Sequence, residues 1–177
     1  MARLRENLPE LHARLVLPSQ ERLNQAKAME LDRGIELQIG DLPQALKLAD
    51  VALACSGTVT MECALCGVPA VVFYKTSWFN YEVAKRIATV EFLAMPNLLA
   101  KEPIFPEFIQ DAATAENVAN AALELLRDEP RRQRIRIKLA EIISSLGGPG
   151  ASRRAAKAVV RLFEPRLSEP PVPAASV

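Results

Sequence analysis

"VALACSGTVTMECALCGVPAVVFY", residues 51–74, decides the fold class. Two apolar runs, 51–55 and 70–74, enclose a Ser-Gly-Thr turn and a helical stretch. Neither run alternates with polar residues, the pattern of parallel strands buried on both faces. Two further apolar runs read as strands, "ARLVL" (13–17) and "IELQI" (35–39), and "EFLAM" (91–95) is a weaker fifth. Between them lie helical stretches. Residues 1–7 read as the second half of a helix, and 19–30 as a helix capped by Ser19. "DLPQALKLA" begins with Asp41 as N-cap and Pro43 in its first turn, and "WFNYEVAKRIA" (78–88) has helical spacing. Strands alternating with helices predict an α/β, Rossmann-like parallel sheet flanked by helices. A doubly wound domain opens with a strand, whereas this sequence opens in a helix, so its first strand is expected to be missing.

Beyond residue 113 the alternation stops. Three helices are predicted, about 114–128 starting at Thr114, 130–146 and 151–163, with "GGPG" (147–150) as a break. Residues 1–164 therefore read as one incomplete domain with C-terminal helices. Residues 165–177 read as a disordered, proline-rich tail.

Composition excludes several functions. Lys and Arg total 22 against 21 Asp and Glu, and only 5% of residues are aromatic, so no nucleic-acid partner is expected. Cys55, Cys63 and Cys66 are odd in number and fall in a region predicted to be buried, which suits a reducing compartment rather than a disulfide framework. "CALC" (63–66) lies past the first turn of a helix, where small buried side chains explain it better than a redox pair. With one histidine, His12, no zinc site can be assembled, and neither G-x-S-x-G nor G-x-G-x-x-G occurs. No cofactor is expected. No run reaches the ~20 apolar residues of a membrane span, and "MARLRENLPELHARL" lacks a leader's apolar core. The 130–146 helix places Ile135, Leu139, Ile142, Ile143 and Leu146 on one face. Arg131, Arg132, Arg134, Arg136 and Lys138 crowd its first half, either as a solvated face or as a contact to an anionic membrane, with Ile137 off the apolar face.

Chemistry concentrates at the turn after 51–55. Gly57 allows a tight turn or a close ligand approach, and Thr58 can cap the next helix. The free N–H groups of that turn would face the carboxyl edge of the sheet, where open parallel sheets bind ligands and a helix start favours an anion such as diphosphate. Glu62, four residues after Thr58, lies on the same face one turn on. An ionised carboxylate only accepts hydrogen bonds, so it suits a vicinal diol such as ribose. A capped helix with a solvent-facing acid has the same spacing, and the turn alone does not choose between them.

The wider pattern narrows the choice. "LADVALACSGTVTMECALCGVPAVVFYKTSWFNYEVAKRI", then "MPNLLAKEPIFPEFIQDAAT", then "LGGPGASRRAAKAV" resembles, in order and spacing, the C-terminal half of lipid-A-disaccharide synthase over residues 7–163. The resemblance implies the C-terminal half of a GT-B glycosyltransferase. Its chemistry would be transfer of 2,3-diacylglucosamine from UDP to 2,3-diacylglucosamine 1-phosphate, giving the β-1′,6 lipid A disaccharide and UDP. Carried over, Ser56, Gly57 and Thr58 would hold the diphosphate and Glu62 the ribose. Asn97 and Gln110, on loops, would contact the donor, with Glu107 lining the same loop. Lys75 and Lys101 stand where the family has or nearly has arginine. Catalytic residues are expected in an N-terminal half missing here, so the isolated chain is expected to be inactive. A separate N-terminal half, a homodimer through the C-terminal helices and a membrane surface are the implied partners, in the cytoplasm or peripherally at the inner face of the cytoplasmic membrane. Two other readings stay open: a non-catalytic interaction module that keeps the fold, and another UDP-sugar GT-B or epimerase relative.

Overall fold

A computed structural model describes residues 1–29, 31, 34–76, 91–148 and 150–163. The stretch 78–88, predicted helical, and the tail 165–177 lie outside the described residues. The chain forms two compact units, Met1–Ser145 and Leu146–Val177.

The first unit carries the sheets. In chain order it runs α1 (Ala2–Asn7), β1 (Ala13–Leu17), α2 (Gln20–Ala28), β2 (Ile35–Ile39), α3 (Leu42–Lys47), β3 (Ala52–Cys55), α4 (Val59–Leu65) and β4 (Ala70–Tyr74). It continues with α5 (Met95–Ala100), β5 (Glu107–Ile109), a 3-10 turn (Gln110–Ala112), α6 (Ala115–Arg127) and α7 (Glu129–Ser145). All pairings are parallel: β1 with β2 from Ala13↔Ile35 to Leu17↔Ile39, β3 with β4 from Ala52↔Ala70, and β4 with β5 from Val72↔Glu107. The α/β parallel architecture expected from the apolar runs is present. The strands form two sheets, ordered β1-β2 and β3-β4-β5.

The core sits around β4, among the described residues the one strand paired on both edges. Ala70, Val71 and Val72 are at most 1% exposed. Around them pack Cys63 and Ala64 of α4, Phe105 before β5, Leu123 and Leu125 of α6, and Ile135, Leu139 and Ile142 of α7. Leu4 of α1 and Leu46 of α3 join the same cluster. Burying one such side chain stabilises by about 1.5–3 kcal/mol.

Local physics explains most boundaries. Ser19 accepts from the Arg22 N–H at 3.3 Å and starts α2 as read. Thr114 does the same for α6 through the Asn117 N–H at 3.1 Å. Three expectations need correction. "EFLAM" forms no strand: Pro96, which cannot donate to a ladder, instead sits in the first turn of α5. Asp41 stands at the N-cap of α3 but in a left-handed conformation (φ 49°), and its side chain makes no cap bond. Thr58 likewise precedes α4 without a side-chain cap bond.

The second unit contains α8 (Ala151–Phe163). Residues 151–162 of α8 are exposed, including Val159, Val160 and Leu162.

Candidate functional site

The site grows from the carboxyl end of β3. β3 continues for one residue beyond Cys55, because the Ser56 N–H donates to Phe73 O of β4 at 3.2 Å. Gly57 then takes φ 143°, a backbone region that side chains rarely enter. A Cβ there would meet nothing within 4 Å, so conformation and not crowding requires the glycine. The turn is pinned from below by a residue the sequence did not flag. Thr60, fully buried, donates its hydroxyl to Gly57 O at 2.7 Å and accepts from the Met95 N–H at 3.3 Å. Ser56 Oγ donates to Leu93 O at 3.2 Å. Two hydroxyls thus tie the turn to the segment entering α5. A threonine three residues after a turn glycine, inside an apolar run, was the only signal for this role.

The pinned turn leaves donors outward. The N–H groups of Thr60, Met61 and Glu62 are taken by Gly57 O and Thr58 O. No hydrogen bond among the described residues takes the N–H of Gly57, Thr58 or Val59. Gly57 and Thr58 are exposed. Glu62 is half-buried one turn along, and no described residue bonds to its carboxylate. Three N–H groups at the start of α4 favour a bound anion, and an unoccupied carboxylate favours hydroxyl donors. Lys75, exposed just past β4, adds a cation on the same carboxyl edge of the sheet.

Asn97, Glu107 and Gln110 are placed differently from expectation. Asn97 lies in α5, not in a loop, and is fully buried. Its amide closes a ring with Phe105: Oδ1 accepts from the Phe105 N–H at 2.8 Å while Nδ2 donates to Phe105 O at 2.8 Å. Nδ2 also donates to Glu107 Oε1 at 2.7 Å. Glu107 then accepts the Leu93 and Ala94 N–H groups at 2.8 and 3.0 Å, serving from β5 as the anionic cap that α5 lacks in its own sequence. Gln110, at φ 51°, holds Thr76 from both sides, accepting from its N–H at 2.8 Å and donating to its O at 3.1 Å. This amide extends the β4–β5 pairing one step past Tyr74↔Ile109. All three side chains buttress the segment behind the turn. Lys101, exposed and left-handed at φ 56°, ends α5.

The cysteines also differ. Cys55 is exposed and Cys66 half-buried, so only Cys63 is a core residue. Burial, aided by Cys66 and Glu62, pushes the Cys63 thiol up to about 12. It is therefore a protonated packing group, not a reactive thiolate.

Comparison with known proteins matches the sequence to a family. The model of the family described as lipid-A-disaccharide synthetase matches residues 1–162. The chain belongs to the lipid-A-disaccharide synthetase family. Relatives named lipid-A-disaccharide synthase include one from Chromohalobacter salexigens, 35% identical over 95% of this chain and 45% of the relative. One from Syntrophus aciditrophicus is 36% identical over 74% of this chain and 34% of the relative. One from Synechocystis is 40% identical over 66% and 30%. The chain thus spans less than half the length of these family members.

Proposed function

We propose that this chain is the nucleotide-sugar side of a lipid-A-disaccharide synthase. The observation that carries the reading is the conjunction, in a member of this family, of the open Gly57–Val59 amides with the unengaged Glu62 carboxylate one turn on. In this reading the amides receive the diphosphate of a UDP-2,3-diacylglucosamine donor. Glu62 accepts the ribose hydroxyls. Lys75 offsets part of the diphosphate charge.

The reaction transfers the sugar to 2,3-diacylglucosamine 1-phosphate. The bond from the donor's C1 to the diphosphate breaks, and its electron pair leaves with UDP. Amides already aimed at that diphosphate stabilise the charge as it develops, without reorganisation. The group that takes the acceptor's proton is assigned to the other half of the family architecture. Asn97, Glu107 and Gln110 act as positioning residues that hold the turn's scaffold. The lipid character of both substrates supports work at the surface of the cytoplasmic membrane; among the described residues no helix is long and apolar enough to cross it. The exposed Val159, Val160 and Leu162 of α8 support dimerisation through the C-terminal helices as part of the same reading.

Calorimetric titration of UDP into the chain tests the site. Saturable binding is expected, and Glu62→Ala is expected to weaken it at least tenfold, about 1.4 kcal/mol. Uridine, lacking the diphosphate, is expected to bind more weakly than UDP. Equal affinity of Glu62→Ala and the natural chain for UDP would remove the ribose assignment. No UDP binding at all would leave the fold as a non-catalytic interaction module.

A further inference from the structure

Thr60 does more than tie the turn to α5. Gly57 O receives two donors from this one residue, its N–H at 3.1 Å and its hydroxyl at 2.7 Å. A peptide group is planar and trans, so its C=O and N–H point in opposite directions. The carbonyl of Gly57 shares its peptide with the N–H of Thr58. Holding Gly57 O against the fully buried Thr60 therefore aims the Thr58 N–H outward. That N–H is one of the three amides with no acceptor among the described residues. The Val59 N–H is aimed in the same way by Thr58 O, which accepts from Met61 and Glu62 as at any helix start. Of these two peptides, Gly57–Thr58 is the one held by a side chain.

Without that hydroxyl the peptide is weakly held. Gly57, at φ 143°, brings the backbone freedom that only glycine has. α4 has seven residues, well short of the roughly 12–15 at which a helix persists by itself, and Thr58 adds no side-chain cap bond. The backbone bond from the Thr60 N–H to Gly57 O closes a tight i→i+3 turn, whose geometry is poorer than an α-helical bond. The hydroxyl is itself oriented from α5. It accepts the Met95 N–H at 3.3 Å, which leaves its proton for Gly57 O. Glu107 holds the residues just before Met95 by accepting from Leu93 and Ala94, and Asn97 donates to Glu107 in turn. A run of hydrogen bonds thus leads from β5 to the Thr58 amide. Ser56 Oγ, bonded to Leu93 O, fixes its own side chain and not this peptide.

We propose that Thr60 is a positioning residue for anion binding: its hydroxyl locks the Gly57–Thr58 peptide with the Thr58 N–H turned outward before any ligand arrives. The anion it serves is the diphosphate of the nucleotide-sugar reading above, and that part rests on that reading; the lock does not. An amide already aimed spends none of the binding free energy on ordering the turn. Thr60 is fully buried and acts through the backbone alone.

The test compares Thr60→Val, which keeps the branched shape and removes the hydroxyl, with Thr60→Ser, which keeps the hydroxyl, in the 177-residue chain. Titrations are run below the melting temperature of each variant. Thr60→Val is expected to weaken UDP by about tenfold and to leave uridine, which lacks the diphosphate, within about twofold. Thr60→Ser is expected to recover most of the UDP affinity. Equal UDP affinity in Thr60→Val and the natural chain overturns the proposal. An equal loss for UDP and uridine also overturns it, since that marks a general loosening of the fold. A second readout needs no nucleotide. Residual dipolar coupling of the Thr58 N–H reports its orientation in the ligand-free protein. The natural chain is expected to show one fixed orientation, unchanged by UDP. In Thr60→Val the Thr58 coupling should be scaled down by averaging, while that of Leu123 in α6 stays as it was. An averaged Thr58 coupling in the natural chain overturns the lock even where Thr60→Val fails to fold. A fixed, Thr60-dependent amide in a chain that does not bind UDP would sink the nucleotide assignment and spare the lock.

Discussion

Asn97 shows how a polar residue in a binding-site motif can serve the fold. Its three hydrogen bonds satisfy both backbone groups of buried Phe105 and one oxygen of Glu107. Removing the amide orphans groups that have no water to turn to. Asn97→Ala is expected to destabilise the chain by about 2–3 kcal/mol, read as a lower denaturant midpoint with unchanged m. A solvent-facing donor contact would leave the midpoint unmoved. Cys63 gives a pH signature. Its folded pKa, about 12, lies above the ordinary value of 9.0. Between those values the unfolded thiol has lost a proton that the folded one keeps, so stability falls as pH rises through that window and is unaffected by this group below it. Thermal melts from pH 8 to 11 should show that slope in the natural chain. In Cys63→Ala the slope should shrink, although the cavity lowers Tm throughout.

Arg132 governs an element boundary. The sequence reads it as one of five basic residues on a helix, yet it is buried. Its Nη1 donates to Leu125 O at 2.6 Å and also to Leu126 O, and its Nη2 pairs with Glu129. These carbonyls belong to the last turn of α6, so α7 caps the helix before it with a cation, where the helix dipole favours one. Arg132→Ala is expected to cost about 2 kcal/mol and Arg132→Lys somewhat less, since an ammonium cannot span two carbonyls and a carboxylate with a planar fork. Urea titration checks the order. Most of its neighbours are ordinary surface charges: Arg131 pairs with Glu124, Arg136 with Glu129, and Lys138 with Glu102 and Glu141. Glu102 raises the pKa of Lys138 through a hydrogen bond and its charge. Exposed pairs of this kind contribute little, so Arg136→Ala should change stability by less than about 1 kcal/mol.

At the scale of the whole molecule, the two sheets differ in how well they are held. β4 is enclosed by strands and helices, whereas β1 and β2 contain no buried residue. In the chain alone, amides of β1 and β2 should therefore exchange by local opening well before those of β4. Protection of equal size in both sheets would mean that the β1–β2 pair is stabilised by something other than its own packing.

Much of this was legible in residues 51–74. A strand, a turn glycine, a helix and a second apolar strand follow from short-range periodicity and from the backbone freedom of Gly57, which depend on neighbours in sequence. Ser19 and Thr114 were legible as helix caps for the same reason. "EFLAM" was misread because a short apolar run suits a strand or a buried helix start equally well, and only Glu107, thirteen residues beyond Ala94, supplies the cap that settles it. The inward roles of Asn97, Glu107 and Gln110 could not be read either, since a polar side chain's partner is chosen by whatever the fold brings within 3 Å. The sequence by itself determined the α/β class, the family and the open amide turn beside Glu62. Only tertiary structure decided which strands pair, as β1-β2 and β3-β4-β5, and that Asn97, Glu107 and Gln110 turn inward, because strand ladders and side-chain partners join residues far apart in the chain.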